Sequence, residues 1–188
     1  NDFKELFQET GYYELTRSYR STKEIIEFAN EVIKHAEVPV GLATPVFRSG
    51  EKVKVIATDD QINEVVKVLQ DLGKGNLKTI AIIGRTDAVC RSIHEKLLIA
   101  GINANVIEAN QSKYAGGISV VPVYLAKGLE FDAVLLIDVD ASHYKDSKYD
   151  AKLLYVGCTR SLHDLRIFYS GEASPLIQGI PEEFYESK

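Results

Sequence analysis

Apolar positions along the 188-residue chain follow two patterns that alternate through most of the sequence. In some stretches they recur every three or four residues, which is typical of a helix with one buried face. In others they form short, nearly continuous runs, which indicate strands covered on both sides. The predicted helices cover residues 21–36, 59–73, 86–101 and 150–161, and the predicted strands cover residues 52–58, 78–84, 117–125, 133–140 and 164–170, with a further short strand at the end of residues 12–16.

The ends of the predicted helices carry residues that favour helix starts and stops. Ser21 and Glu24 have the spacing of a capping box, in which each side chain binds a backbone N–H of the first turn. Thr86 precedes the third helix as a cap, and Gly101 follows it as a stop signal. Spacing also predicts the buried faces, which are Ile25, Ile26, Ala29, Val32, Ile33 and Ala36 in the first helix, and Ile62, Val65, Val66, Leu69 and Leu72 in the second.

Strands that alternate with helices predict the α/β class, with a mainly parallel sheet, right-handed crossovers and helices on both faces. Ligands of such sheets usually lie beyond the carboxyl ends of the strands. The segments "TRSYR" and "GRT", and the residues after "VVPV", are therefore expected at that edge. Residues 164–170 are expected to close the sheet, and the acidic tail "IPEEFYESK", residues 180–188, is expected to be a frayed end or the start of a linker.

Composition indicates an ordinary globular protein. Hydrophobic residues make up 45% and charged residues 26%, and no apolar run approaches the roughly 18 residues of a membrane helix. The formal net charge of −5 argues against nucleic-acid binding by bulk electrostatics. Cys90 and Cys158 are too few for a disulfide scaffold, and they fit a reducing, cytoplasmic location. The absence of Met, including a first one, suggests a piece of a longer chain.

Three short polar segments at the ends of predicted elements are candidates for ligand binding. Tyr19 and Arg20 lie between a strand and a helix, where a ring can stack on a base and a guanidinium can bind phosphate. Gly128 and Glu130 precede a predicted strand, and Arg160 follows an apolar helical run. Each segment alone favours a structural interpretation, namely a packed tyrosine, a surface arginine, a turn with solvated charges or an arginine on a helix dipole.

Taken together and in order, these segments resemble a known family. "LTRSYRSTKEIIEFANEVI", "AKGLEFDAVLLI" and "AKLLYVGCTRSLHDLRIFYSG" are similar to motifs IV, V and VI of superfamily 1 helicases of the UvrD/Rep/PcrA type. "IAIIGRTDAVCRSIHEKLLIAGI" resembles the family segment between motifs IV and V. The run "VPVYLAKGLEFD", with the short connection from Arg85 to Val120, is most similar to the RNA-polymerase-associated helicase D branch of the family.

The resemblance implies a RecA-like, P-loop-NTPase-type second motor domain over residues 14–173, between a lead-in at residues 1–13 and the tail at residues 174–188. It implies ATP as the nucleotide, with Mg²⁺ held mainly by a first motor domain of the same chain. It also implies single-stranded DNA as a partner, which Arg85 and Thr86 would face, and RNA polymerase as a further partner. No membrane partner is expected.

The family's functional residues correspond to five positions of this sequence. Tyr19 would stack on the adenine, and Arg20 would reach the γ-phosphate. Gly128 and Glu130 would lie near the ribose and the phosphates. Arg160 would be the arginine finger that stabilises negative charge in the transition state of phosphoryl transfer.

The sequence departs from the family pattern in two respects. The family's motif V usually has Thr and His where Pro122 and Tyr124 stand here, and Leu125 replaces a small polar residue. Since those residues are implied to couple the nucleotide state to the DNA strand, that coupling is expected to be weak. No phosphate-binding G-x-x-x-x-G-K-[ST] loop occurs either, so the 188 residues alone are expected not to hydrolyse ATP. Lys127 is given no role.

Two hypotheses about function follow. The first is the C-terminal motor half of an ATP-dependent superfamily 1 DNA helicase or translocase, with ATP bound between this domain and the first motor domain. The alternative is a non-catalytic docking module of an RNA-polymerase-remodelling protein, which the acidic charge and the altered motif V favour. The intact "SYR", "KGLE" and "TR" segments favour the first hypothesis, because a docking surface requires none of them.

Overall fold

The computed structural model describes residues 17–18, 20–37, 42–45, 48–109 and 116–188. Within these residues the helices are α1 (Lys23–His35), α2 (Gln61–Leu72), α3 (Asp87–Ile99), α4 (Lys148–Cys158) and α5 (Pro175–Gln178), and Glu182–Phe184 is a 3₁₀ turn. The strands are β1 (Arg17–Ser18), β2 (Thr44–Pro45), β3 (Val53–Ala57), β4 (Thr79–Gly84), β5 (Asn105–Val106), β6 (Gly117–Pro122), β7 (Phe131–Leu136), β8 (Ser161–Tyr169) and β9 (Tyr185–Ser187).

Seven strands form one sheet in the order β5-β6-β4-β7-β8-β3-β9, and all of its pairings are parallel. In the middle of the sheet, Ile82 of β4 pairs with Val120 of β6 on one side and with Leu135 of β7 on the other. β1 and β2 form a separate two-stranded parallel sheet. The predicted α/β class with a parallel sheet is therefore confirmed.

Helices cover both faces of the large sheet, which explains why its central strands are apolar throughout. Ala81 and Ile83 of β4 pack in the core on the side of α1 and α4. Ile80 and Ile82 pack in the core on the side of α2 and α3, because successive side chains of a strand point to opposite faces. Each fully buried isoleucine stabilises the fold by roughly 1.5–3 kcal/mol.

Helix α1 has the predicted buried face but not the predicted capping box. All the residues predicted for its apolar face are buried. The N-cap is Thr22, whose side chain makes no capping hydrogen bond. Ser21 Oγ instead donates to the Ser161 carbonyl at 2.6 Å, and the Glu24 carboxylate accepts from the Gly50 N–H at 2.8 Å. The capping box is wrong because both side chains attach α1 to other parts of the chain.

The predictions for α2 and α3 agree more closely with the structure. The Thr86 hydroxyl caps α3 by accepting from the Val89 N–H at 3.3 Å, and Gly101 follows the helix with a φ of +78°. In α2, three of the five predicted face residues are buried and the other two are half-buried against the same core. Val68, which the prediction omitted, is also buried.

Two strands end three or four residues earlier than predicted. β6 ends at Pro122, because the chain turns there and the Leu125 N–H donates to the Pro122 carbonyl at 2.9 Å. β7 ends at Leu136, and Asp138 beyond it has a left-handed backbone with a φ of +54°. In both cases, residues that favour strands continue beyond the last paired residue. The composition therefore predicted a longer strand than the sheet contains.

The C-terminal segment corrects two further expectations. β8 does not close the sheet, because it lies between β7 and β3. Residues 180–188 are not a frayed end, since they contain the 3₁₀ turn and β9, which pairs with β3 at the sheet edge. The strand predicted at the end of residues 12–16 lies outside the described residues.

Neither cysteine forms a disulfide, and both thiols are buried. Burial raises the pKa of the Cys90 thiol to about 11, so this thiol stays protonated and unreactive at neutral pH. Within the described part of the chain, no helix has the length and apolar character needed to span a membrane.

Candidate active site

Three of the predicted site residues, Arg20, Glu130 and Arg160, line a single pocket of about 210 Å³. They come from the segment before α1, the turn before β7 and the end of α4. The remaining wall is formed by Ser21, Ile26, Tyr155 and Thr159. The fold thus brings two guanidinium groups and one carboxylate together from three distant parts of the sequence.

This pocket lies at the amino ends of β7 and β8, not at the carboxyl edge that was expected for "TRSYR". Glu130 immediately precedes β7, and Arg160 immediately precedes β8. Arg20 reaches the same edge because the Ser21 hydroxyl and the Thr22 N–H both bond to the start of β8, at 2.6 and 3.2 Å. The expectation was wrong because β1 is not part of the large sheet.

Among the described residues, three hydrogen bonds hold the Arg160 guanidinium. Its Nε donates to the Val156 carbonyl at 3.0 Å, and its Nη1 donates to the Leu129 carbonyl at 3.2 Å. Its Nη2 donates to the Thr159 hydroxyl at 3.1 Å. Partial burial lowers the pKa of Arg160, although the nearby Glu130 carboxylate acts in the opposite direction. A guanidinium has five N–H donors, so two have no partner among the described residues and are available to a ligand.

Arg20 is held less firmly than Arg160. Its guanidinium forms an ion pair with the Glu130 carboxylate, and 74% of its side chain is exposed to solvent. An exposed ion pair of this kind contributes little stability, on the order of 1 kcal/mol or less. Arg20 is therefore free to exchange Glu130 for a stronger anion at small energetic cost.

The Lys-Gly-Leu-Glu turn, residues 127–130, carries one group that contacts Arg160 and one that contacts Arg20. Gly128 has a φ of +89°, a left-handed backbone that favours glycine. A Cβ on Gly128 would meet no atom within 4 Å, so the backbone conformation, not crowding within the protein, explains the glycine. The turn then presents the Leu129 carbonyl to Arg160 and the Glu130 carboxylate to Arg20. Lys127 is exposed and has no ion-pair partner among the described residues.

Arg85 and Thr86 lie apart from this pocket, at the carboxyl end of β4. The Arg85 guanidinium binds the Asp150 carboxylate at 2.6 Å and lies 4.9 Å from the centre of the Tyr144 ring. Only 22% of the Arg85 side chain is exposed. Thr86 is exposed, but its hydroxyl already caps α3. Arg85 therefore has limited freedom to contact a ligand while it is paired with Asp150.

The altered motif V positions lie near this second edge. Pro122 ends β6, and the Tyr124 side chain beyond it is 51% exposed. The Tyr124 hydroxyl donates to the Asp87 carboxylate at 2.9 Å, and this hydrogen bond raises the pKa of Tyr124. Leu125 is half-buried against the core. Where the resemblance implies polar residues, this chain therefore has Leu125, which packs against the core, and Tyr124, which is hydrogen-bonded to α3.

Sequence reasoning missed some of the groups that build the pocket. Tyr19, which it predicted to stack on the adenine, lies outside the described residues. Thr159 was recognised only as part of the "TR" pair, and Tyr155 and the Leu129 carbonyl were given no role. Tyr155 and Thr159 are four residues apart. This spacing would have placed both on one face at the end of α4. A carbonyl contact across 31 residues carries no signal in the sequence.

The chain is similar to known helicase domains. Two family models described as UvrD-like helicase C-terminal domain match residues 13–114 and residues 117–168. The ATP-dependent DNA helicase PcrA of Bacillus subtilis is 39% identical over 101 residues, which are 50% of this chain and 14% of that protein. The probable DNA helicase II homolog of Rickettsia felis is 26% identical over 203 residues, covering 88% of this chain and 30% of its own length.

A solved structure covers nearly the same extent of chain. The C-terminal domain of a possible DNA helicase from Lactobacillus plantarum WCFS1 matches with a TM-score of 0.75 and 31% identity, over 90% of this chain and 98% of that one. The chain spans only between 14% and 30% of the length of the curated relatives it matches.

Proposed function

The chain belongs to the UvrD-like helicase C-terminal domain family, and from this premise we propose that it is the second motor domain of an ATP-dependent superfamily 1 DNA helicase or translocase. The observation that supports the proposal is the meeting of Arg20, Glu130 and Arg160 in one pocket. Two cationic side chains in a small pocket suit a phosphate group, because a guanidinium can bind two of its oxygens at once.

The pocket would hold only part of a nucleotide. Its volume of about 210 Å³ is below the roughly 300–1,000 Å³ of complete small-ligand sites. We infer that ATP binds between this domain and a first motor domain of the same chain, which also supplies the phosphate-binding loop and holds Mg²⁺. When bound, Mg²⁺ would neutralise charge on the phosphates.

Each site residue has a distinct role in this proposal. Arg160 is the arginine finger, already oriented by its hydrogen bonds, and it stabilises the charge that develops in the transition state. Arg20 leaves Glu130 to bind the γ-phosphate, and the released Glu130 then lies near the ribose and phosphates, beside Gly128. Tyr19, next to Arg20 in the sequence, stacks on the adenine.

The test of this function is the effect of Arg160→Ala on ATP hydrolysis by the full-length protein. We expect kcat to fall by roughly 10³–10⁵, the range for arginine fingers, with a much smaller change in nucleotide affinity. Arg160→Lys should not restore kcat, because an ammonium lacks the planar fork of donors. Arg48→Ala, at an exposed arginine outside the pocket, is the matched control. A normal kcat for Arg160→Ala would contradict the proposal.

A second candidate function is remodelling of a protein partner, with RNA polymerase, suggested by the helicase D resemblance, as the partner. The exposed Tyr124 and the apolar Pro122 and Leu125 favour it, since they replace polar contacts to a DNA strand. Arg85 and Thr86 would then contribute only weak contacts to single-stranded DNA.

Comparison of stimulated ATPase rates separates the two functions. The full-length protein is assayed alone, with single-stranded DNA and with RNA polymerase. Partner remodelling predicts weak stimulation by DNA and poor duplex unwinding, because the altered motif V has lost its polar groups. Strong stimulation by DNA alone, together with efficient strand separation, would support an ordinary helicase and contradict partner remodelling.

A further inference from the structure

A second and larger cavity, of about 480 Å³, lies at the opposite edge of the sheet from the Arg160 pocket. It is lined by the residues that follow β3, β7 and β8, and by side chains of α2 and α3. β7 is six residues long, so the two edges are about 20 Å apart at about 3.3 Å per residue. The carboxyl edge of a parallel sheet is where ligands commonly bind, and this volume is within the range of small-ligand sites.

The polar side chains at the strand ends of this cavity have used their hydrogen-bond donors. Gln61 Nε2 donates both of its hydrogens, to Asp138 Oδ1 at 3.0 Å and to Ser170 Oγ at 2.9 Å. Ser170 Oγ donates its hydrogen to the Thr58 carbonyl at 2.8 Å. The Asp138 N–H donates to Gln61 Oε1 at 3.0 Å. What these strand-end groups offer a ligand is acceptor capacity, chiefly the second carboxylate oxygen of Asp138, so they favour a ligand that donates hydrogen bonds.

The lining of the cavity also has an excess of negative charge. The lining contains three carboxylates, those of Asp59, Asp60 and Asp138, and one ammonium, that of Lys96. Phosphate-bearing ligands are disfavoured by this balance, unlike at the pocket with two arginines. A metal ion is also disfavoured, since no cluster of metal-binding side chains occurs in the described ranges. A cationic group is the ligand that the charges favour.

Part of the cavity wall is apolar. It is formed by Ile62, Val89, Ile93 and Ile137. An apolar wall next to a carboxylate suits a ligand with a hydrocarbon stem and a charged end, because the stem leaves water while the charge keeps its hydrogen bonds.

We propose that this cavity binds an alkyl-guanidinium or alkyl-ammonium group, with the stem on the isoleucine and valine wall and the cationic head on Asp138. Such a group occurs in the arginine or lysine side chain of a partner polypeptide and in free small amines. The proposal does not depend on ATP hydrolysis, because the cavity shares no lining residue with the Arg160 pocket.

The experiment is a titration of the ¹⁵N-labelled 188-residue chain with n-butylguanidine, followed by amide chemical shifts. We expect saturable shifts centred on Gln61, Asp138 and Ser170. Asp138→Asn should weaken binding at least about ten-fold, the loss expected for one hydrogen bond between charged partners. Asparagine keeps an oxygen for Gln61 and tolerates the left-handed backbone, so this variant preserves the local fold. Asp71→Asn, at an exposed carboxylate outside the cavity, is the matched control and should bind normally.

Additional ligands distinguish a polypeptide from a free amine as the source of the cationic group, and they show which results would overturn the proposal. A capped pentapeptide with a central arginine that binds more tightly than n-butylguanidine would identify a polypeptide as the source, and the reverse order would identify a free amine. 1-Butanol and inorganic phosphate should produce no saturable shifts at these residues. The proposal is overturned if n-butylguanidine gives no saturable shifts there, if phosphate gives the same shifts, or if Asp138→Asn and Asp71→Asn bind equally well.

Discussion

Thr159 is the residue whose side chain links Arg160 to the end of α4. Its hydroxyl accepts from Arg160 Nη2 at 3.1 Å and donates to the Tyr155 carbonyl at 2.9 Å. In the full-length protein, Thr159→Val should lower kcat by about ten-fold, which corresponds to one net hydrogen bond, while the KM for ATP changes far less. Steady-state kinetics check this expectation.

Thr159→Ser keeps the hydroxyl and should restore most of kcat, which a role in packing alone would not predict. The melting temperature of each variant shows whether the fold is affected. If valine and serine lower kcat equally, Thr159 does not position Arg160. If Arg160→Ala is also without effect, the error lies in the assignment of the arginine finger itself.

Among the elements, β4 and β7 are joined at their amino ends by Asp132. Its Oδ2 accepts from the N–H groups of Lys78 and Thr79 at 2.7 and 2.9 Å. Partial burial acts to raise the pKa of Asp132, but these hydrogen bonds, together with the Thr79 side chain and the nearby His163, outweigh it and the pKa is lowered. The ionised carboxylate is therefore better stabilised in the folded protein than in the unfolded chain.

Asp132→Asn should destabilise the chain by about 1 kcal/mol at pH 7, because one hydrogen-bonded charge is removed. A lowered folded-state pKa contributes stability above the unfolded value of about 3.9, and this contribution is lost as the pH falls through the folded value. The difference between the two proteins should therefore shrink below about pH 4. Urea unfolding at several pH values measures it, with Asp71→Asn as the exposed control. A difference that is constant with pH would exclude a contribution from the charge.

At the scale of the whole molecule, the chain contains a complete parallel sheet covered on both faces but only part of the proposed ATP site. We expect the purified 188-residue chain to fold and to show no Mg²⁺-dependent ATP hydrolysis, because the arginines cannot replace a phosphate-binding loop and a bound metal ion. Phosphate release is the measurement, and the Arg160→Ala chain, prepared identically, gives the background. Turnover above that background would contradict a site shared between two domains.

The sequence by itself determined the class of fold and most of the elements. Helical spacing and continuous apolar runs depend on local geometry, so they predicted α1 to α4 and the five central strands. The order of three short motifs, through their resemblance to superfamily 1 helicases, also identified Arg20, Glu130 and Arg160 as candidates.

Only the tertiary structure decided where those residues meet. Their pocket lies at the amino edge of the sheet because β1 is outside it and because Ser21 bonds to the start of β8 instead of capping α1. Strand order likewise placed β8 inside the sheet and gave the C-terminal tail an edge position beside β3. These outcomes depend on hydrogen bonds between residues as many as 140 positions apart, which no local pattern of side chains contains.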